Sequence, residues 1–284
     1  MGFEDMVGAT YGPYCVRAGA RQVAAYVAVT SDDQERWTKY APPSFAGALL
    51  FAAAPEFLDV PEVVPYTRGL VHADQSFLWH RAVLIDESLT VTGTLSRIRE
   101  RNNVIFATFS VSVRSGSEPV VDAVSTFLMS AEPSYSDLAE EGEPPIDQRG
   151  ALEPFLRPRP GASDFQDREI SASRMDLVRY AAASGDFNPV HFDHEMAVKA
   201  GFPGVLVHGL LMGAWVLQSA VSVTKGPNGI ESAKIRFRNI LRPAITAIAG
   251  GTIKTERQGM RTAYLNLRSG DVELVSARVE LRKS

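Results

Sequence analysis

One cysteine, Cys15, stands in 284 residues, which excludes an intrachain disulfide and a thiolate metal cage and leads us to expect a reducing compartment, the cytoplasm. Surplus basic charge is lacking as well. With 29 Lys and Arg against 33 Asp and Glu the formal charge is −4, so the basic face of a nucleic-acid binder is not expected. The beginning, Met1-Gly-Phe-Glu-Asp-Met6, lacks the basic-then-apolar order of a signal peptide. The five histidines include no HxxxH or HExxH spacing, and without Cys ligands no metal is expected. Gly204, Gly209 and Gly213 do not follow a strand in G-x-G-x-x-G order, so no nucleotide cofactor is expected either. One uncharged run, the 19 residues Val205 to Val223, approaches a membrane-spanning length. His208, Gln218, Ser219 and Ser222 interrupt it and no Lys or Arg cluster flanks it. It reads as a helix wrapped by a sheet, with no membrane partner.

Chemistry concentrates in Tyr180-Ala-Ala-Ala-Ser-Gly-Asp186-Phe-Asn188-Pro-Val-His191. Gly185 and Pro189 forbid a continuing helix, so an acid, an amide and an imidazole are held in a tight loop. A carboxylate and an imidazole converging on one water can share its protons, the equipment of general acid/base chemistry. Asn188 can fix Asp186 by donating an amide hydrogen, or accept one from the water. The same letters also spell an ordinary Asx turn. Just downstream, a helix beginning near Leu206 to Gly209 would present unpaired N–H groups and partial positive charge, where an oxyanion is stabilised. Gly209 has no Cβ and lets a ligand approach the backbone, or simply lets the helix pack closely against the sheet.

The chain also repeats itself. Shifting by 154 residues lays Tyr26 on Tyr180 and Asp32 on Asp186, but puts Gln34 at Asn188 and Trp37 at His191, so the first copy lacks the imidazole. A shift of 158 lays Phe77 to Val83 on Ile235 to Leu241 and Gly93-Thr94 on Gly251-Thr252. Pro43 to Phe51 supplies a first apolar helix, and alternating apolar runs close each half as strands. We expect an α+β architecture of two units, residues 1–130 and 164–284, joined by a Pro- and acid-rich linker over 131–163.

The Tyr180 to His191 run, the Phe202-Pro203-Gly204 turn and the His208-Gly209 pair resemble the signature of the R-specific enoyl-CoA hydratases and MaoC-like dehydratases. The resemblance implies a double hot-dog: two antiparallel sheets each wrapping a long central helix, a pseudo-dimer in one chain with a degenerate N-terminal unit. It implies reversible hydration of trans-2-enoyl thioesters, or dehydration of (R)-3-hydroxyacyl thioesters, carried by coenzyme A or acyl carrier protein. Asp186 and His191 would be the catalytic dyad, Asn188 would hold the site together, and the Gly209 N–H would bind the thioester carbonyl.

Around these, Ser184, Pro189, Val207 and His208 are expected to touch substrate. Phe45, with Leu49, Phe51, Phe57 or Leu58, would line an acyl tunnel from the first half. Arg236, in a row with Lys234, Arg238 and Arg242, would meet a diphosphate or an acidic carrier. His72 and His80 lie near strand termini with no partner at dyad spacing and are expected to be structural. Assembly as a homodimer of double hot-dogs is compatible with the resemblance. Two other readings use the same residues: addition of a different nucleophile or thioester hydrolysis at the same site, and a non-catalytic acyl-binding scaffold.

Overall fold

The computed structural model describes residues 3–132, 142–150, 165, 167–255 and 261–283. Ten strands form one antiparallel sheet: β1 (Thr10–Arg17), β2 (Val71–Trp79), β3 (Ser88–Arg101), β4 (Val104–Ser115) and β5 (Glu118–Met129) from the first repeat, then β6 (Arg168–Ile170), β7 (Ile230–Phe237), β8 (Ala247–Thr255), β9 (Arg261–Ser269) and β10 (Val272–Leu281) from the second. Their order is β1-β3-β4-β5-β2-β7-β10-β9-β8-β6. Reading outward from the central pair, both repeats run in the same sequence. The halves join where β2 meets β7, and Ser76 pairs directly with Lys234, its equivalent 158 residues on. A pseudo-twofold axis therefore passes through that pair, as two copies of one unit require.

Strand residues alternate because side chains point to opposite faces every second position. In β4, Ile105, Ala107, Phe109, Val111 and Val113 are all buried, while the intervening positions are partly exposed. Against the matching face of β8, β9 and β10 in the second repeat lies the helix α6 (Gly209–Ser222), whose residues Leu210 to Gln218 are buried without a break around a fully enclosed Trp215. Each large apolar side chain so enclosed contributes about 1.5–3 kcal/mol. With 14 residues, α6 is wrapped by protein; no described helix is long and apolar enough to span a membrane. The expected long helix of the first repeat is instead two short ones, α2 (Ala46–Leu50) and α3 (Ala54–Leu58). Pro55 has no N–H to bond the Phe51 carbonyl, and its ring would strike that carbonyl, so a continuous helix is unavailable.

The helices that open the repeats, α1 (Ala20–Val29) and α4 (Arg174–Ser184), pack together across the axis, and the equivalent tyrosines Tyr26 and Tyr180 meet with ring centroids 5.7 Å apart. The linker expected over 131–163 falls mostly outside the described residues. Its described part lies against the start of α4, where Ile146 O accepts from Met175 N at 2.9 Å and Arg149 pairs with Asp176 at 3.0 Å.

The glycines matched by the repeat have a steric cause. A Cβ on Gly93 would sit 2.4 Å from the ring of Phe109, and one on Gly251 would sit 2.3 Å from the Tyr264 carbonyl oxygen. Phe109 is fully buried and stacked on Phe57 at 5.2 Å, so it cannot give way. Gly93→Ala is expected to lower stability by about 1–3 kcal/mol through overpacking, measured by urea unfolding; an unchanged midpoint would contradict it.

Candidate active site

Local rules build the loop that bears the acid. Ser173 caps α4, accepting from Asp176 N, while the Asp176 carboxylate accepts from Ser173 N in a closed capping box. Gly185 ends α4 in the left-handed region at φ 82°, with its N–H on Ala181 O at 2.8 Å, and so turns the chain toward Asp186. Asn188 then caps a 3-10 turn over Pro189–His191. Its side-chain oxygen accepts from Val190 N at 3.3 Å, and its backbone N–H donates to Asp186 Oδ1 at 3.4 Å. Asn188 thus orients Asp186 through its backbone, and its side-chain oxygen serves the turn.

His191 Nδ1 lies 2.9 Å from Leu206 O. A carbonyl only accepts, so Nδ1 carries the proton and Nε2 keeps its lone pair. Asp186, His191 and His208 bring their donor atoms within 4.8 Å of one another, and Asp186 is not hydrogen-bonded directly to His191. One water bridges such a span.

Burial, the largest influence, pushes the Asp186 carboxyl above the usual carboxylate range, against the opposing pull of His191 and the Asn188 N–H. Burial likewise holds His191 below the ordinary imidazole value, with Asp186 and the Leu206 carbonyl pulling it up. His191 is therefore a neutral base at working pH.

His208 is fully buried and stacks on His191, centroids 3.8 Å apart and planes 23° from parallel. Its Nε2 donates to Asp186 O at 3.3 Å, and burial together with the neighbouring His191 drives its pKa well below the ordinary value. The three side chains are the one His/Asp group among the described residues that could hold an ion. Imidazole lone pairs lie in the ring plane, however, and two nearly parallel rings cannot both aim at a common ion about 2.0–2.1 Å away. The arrangement suits a water better than a metal.

Asp186 and His191 open onto a cavity of about 190 Å³ between the repeats, lined by Asp186, Asn188, His191, Val207 and Gly209 from the second and by Phe51, Leu70, His72 and Phe127 from the first. Gly209 is the first residue of α6, where N–H groups have no partner four residues back. A Cβ there would meet His72 and Phe237 at 3.6 Å, an ordinary contact. Packing therefore does not demand a glycine. A second cavity of about 860 Å³, lined in part by Pro189, Met196 and Lys199, shares Phe51, Leu58, Leu70, Asp186, Asn188 and Val190 with the first.

Four expected contacts lie elsewhere, the first being His208, which is fully enclosed behind His191 and lines neither cavity. Phe45 lines neither cavity; it is fully buried, edge-on to Tyr26 at 5.3 Å, because the turn entering α2 faces α1. Leu49 and Phe57 are likewise core, whereas Phe51 and Leu58, on either side of the helix break, do line both cavities. Ser184 is enclosed and shapes the loop, donating to Tyr180 O at 2.7 Å and accepting from Asp186 N at 3.2 Å. Arg236 points outward from β7 to Asp74, at 3.2 Å, and Arg238, just beyond the strand end, lines the cavity in its place. His72 was expected to be structural, yet it forms part of the wall. Only the β2–β7 pairing places it there.

Two family models match the chain: a MaoC-like domain over residues 157–266 and a FAS1-like dehydratase domain region over residues 16–117. The chain is 26% identical over 227 residues to 3-hydroxyacyl-thioester dehydratase X of Mycobacterium tuberculosis, covering 80% of this chain and 74% of that protein. It is also 26% identical over 235 residues to the peroxisomal enoyl-CoA hydratase 2 of Arabidopsis thaliana, covering 78% and 71%. Among solved structures, a MaoC-like dehydratase superposes with a TM-score of 0.81 at 19% identity, covering 99% of each chain.

Proposed function

The chain belongs to the MaoC-like dehydratases, and on that premise we propose that it hydrates trans-2-enoyl thioesters reversibly, in the reverse sense dehydrating (R)-3-hydroxyacyl thioesters. The observation that carries the proposal is the placing of a carboxylate, a neutral imidazole lone pair and a helix amino end around one cavity.

In the hydration direction the Asp186 carboxylate and His191 Nε2 hold the attacking water. Its oxygen forms a bond to Cβ as Nε2 takes its proton. The π electrons of the alkene move toward the carbonyl, and the thioester oxygen gains enolate charge in front of the Gly209 N–H, where the α6 dipole favours it. Return of a proton to Cα from the dyad restores the thioester. Asp186 and His191 titrate as one coupled pair, so the two proton transfers belong to the dyad as a unit. Phe51 and Leu58 give the acyl chain an apolar wall supplied by the first repeat.

Crotonyl-CoA tests the reading. The purified protein is expected to remove the enoyl absorbance without releasing free thiol, and chiral analysis of the product is expected to show the R alcohol. Release of thiol would indicate hydrolysis instead. Unchanged absorbance across enoyl thioesters of rising chain length, offered on both coenzyme A and acyl carrier protein, would end the proposal.

A further inference from the structure

The outer face of the sheet carries three arginines in a row. Arg97, Arg99 and Arg101 occupy alternate positions at the end of β3, and all three are exposed. Alternate strand residues point to one face, and Ile98 between them packs against the core, so the three side chains project outward together with backbone positions about 6.6 Å apart. None of them makes an ion pair or a side-chain hydrogen bond with a described residue. The arginines on the other side of the β2 edge differ, since Arg236 is tied to Asp74 and Arg238 to Glu273.

Strand register connects this stripe to the dyad. Arg99 pairs with Phe106 on β4, Phe106 with Leu128 on β5, and Leu128 with Val71 on β2. Val71 and Leu128 line the 190 Å³ cavity. Three ladder steps at the usual strand spacing put Arg99 about 14 Å from Val71, and the partly exposed Phe106 and Leu128 make the interval apolar. The stripe itself runs about 13 Å along an open sheet face, and its arginines line neither of the two cavities beside the dyad. Small ligands are held in concave sites, whereas an open face with unpaired charge suits a protein of the opposite sign. On a chain whose formal charge is −4, such a stripe is a local exception that steers an acidic partner to this edge.

Resting on the hydratase reading, we propose that Arg97, Arg99 and Arg101 form the docking surface for an acidic acyl carrier protein, which delivers the enoyl thioester on its phosphopantetheine arm. Val207 and Gly209 line the smaller cavity only, while Phe51 and Leu58 continue the apolar wall into the larger one. An acyl chain lying along that wall leaves the arm to pass out by Val71 and Leu128. A pantetheine arm spans a gap of this order, so the arginines stand where the arm ends and its carrier begins. The first repeat, with Trp37 where the second has His191, then receives the carrier while the second does the chemistry.

Two triple variants of the full chain test this. Changing Arg97, Arg99 and Arg101 together to Gln removes the charge, and changing them together to Lys keeps it. Each would be compared with wild type on crotonyl-acyl carrier protein and on crotonyl-CoA. On the carrier-bound substrate the Gln variant is expected to lose about tenfold or more in kcat/KM, chiefly through KM, and the Lys variant to recover most of that. On crotonyl-CoA both are expected to stay within about twofold of wild type. Added salt should slow wild type on the carrier-bound substrate and leave the Gln variant nearly unchanged. Undiminished activity of the Gln variant on the carrier-bound substrate would overturn the assignment. Equal losses on both substrates would do so as well, making the nucleotide phosphates of coenzyme A the ligand, and so would a wild type that hydrates crotonyl-CoA but not the carrier-bound form. Should the wild type hydrate neither, the hydratase reading falls; titration with holo-acyl carrier protein then decides the surface alone, upheld by binding that the Gln variant loses and overturned by its absence in wild type.

Discussion

Asp186→Asn and His191→Ala are each expected to cut turnover by about 10²–10⁴ while the protein stays folded, because each removes one of the two groups proposed to hold and deprotonate the water. For Asp186→Asn a second, opposite effect accompanies the loss. In the folded chain burial raises the Asp186 carboxyl above its unfolded value. The stability that this group contributes is therefore fully present only below the unfolded carboxyl value, about 3.9, and is lost as pH rises through the folded one. At neutral pH the ionised carboxylate is a net cost, and the amide removes it. Asp186→Asn should thus melt a few degrees above wild type at pH 7, with the difference shrinking as the solution is acidified toward pH 4. A variant that keeps near-normal hydration, or that melts below wild type at pH 7, would show that Asp186 is a structural member of the loop.

Gly209→Pro should be nearly as damaging, at about 10²–10³ in kcat/KM, although it removes a single hydrogen. Proline is well suited to the first position of a helix. His208 before it already has φ −57° and ψ 134°, the extended basin that a residue preceding proline adopts. An added Cβ meets only His72 and Phe237 at contact distance. The helix should therefore form as before, without the N–H proposed to meet the thioester oxygen. Gly209→Ala is the matched control, since it adds the Cβ and keeps the donor. The ratio between the two variants in enoyl-thioester kinetics, with circular dichroism confirming the helix, reads the donor alone. Equal activity of the proline and alanine variants would show that this amide binds no oxyanion.

The parts of the site that could be read from the sequence are those set by short-range rules. Gly185 and Pro189 break the chain on either side of Asp186, and those constraints act within a few residues whatever the rest of the fold does. The apolar α6 demanded a surrounding sheet, and the repeat supplied strands in two sets, from which two sheet-and-helix units follow. Choices among chemically similar residues were not legible. Phe45, Phe51 and Phe57 are equally apolar, and what separates the cavity-lining ring from the two core rings is the helix break at Pro55 and the direction in which each short helix faces. Arg236 and Arg238 are two residues apart, yet the first pairs outward with Asp74, while the second follows the end of β7, where the chain bends into the cavity wall. His72 lies more than a hundred residues from the loop it faces, so no spacing rule could connect the two.

The amino-acid order by itself determined the reactive loop, the buried helix and the duplication, since each depends on neighbours in the chain or on a pattern of polarity. Which side chains of the first repeat reach across to that loop was decided by the antiparallel register of β2 on β7, with Ser76 opposite Lys234. Slipping that register by one residue would turn every side chain of β2 to the opposite face and take His72 out of the cavity. A contact between distant segments is a property of how the strands align, and alignment is settled only when the whole sheet closes around its helix.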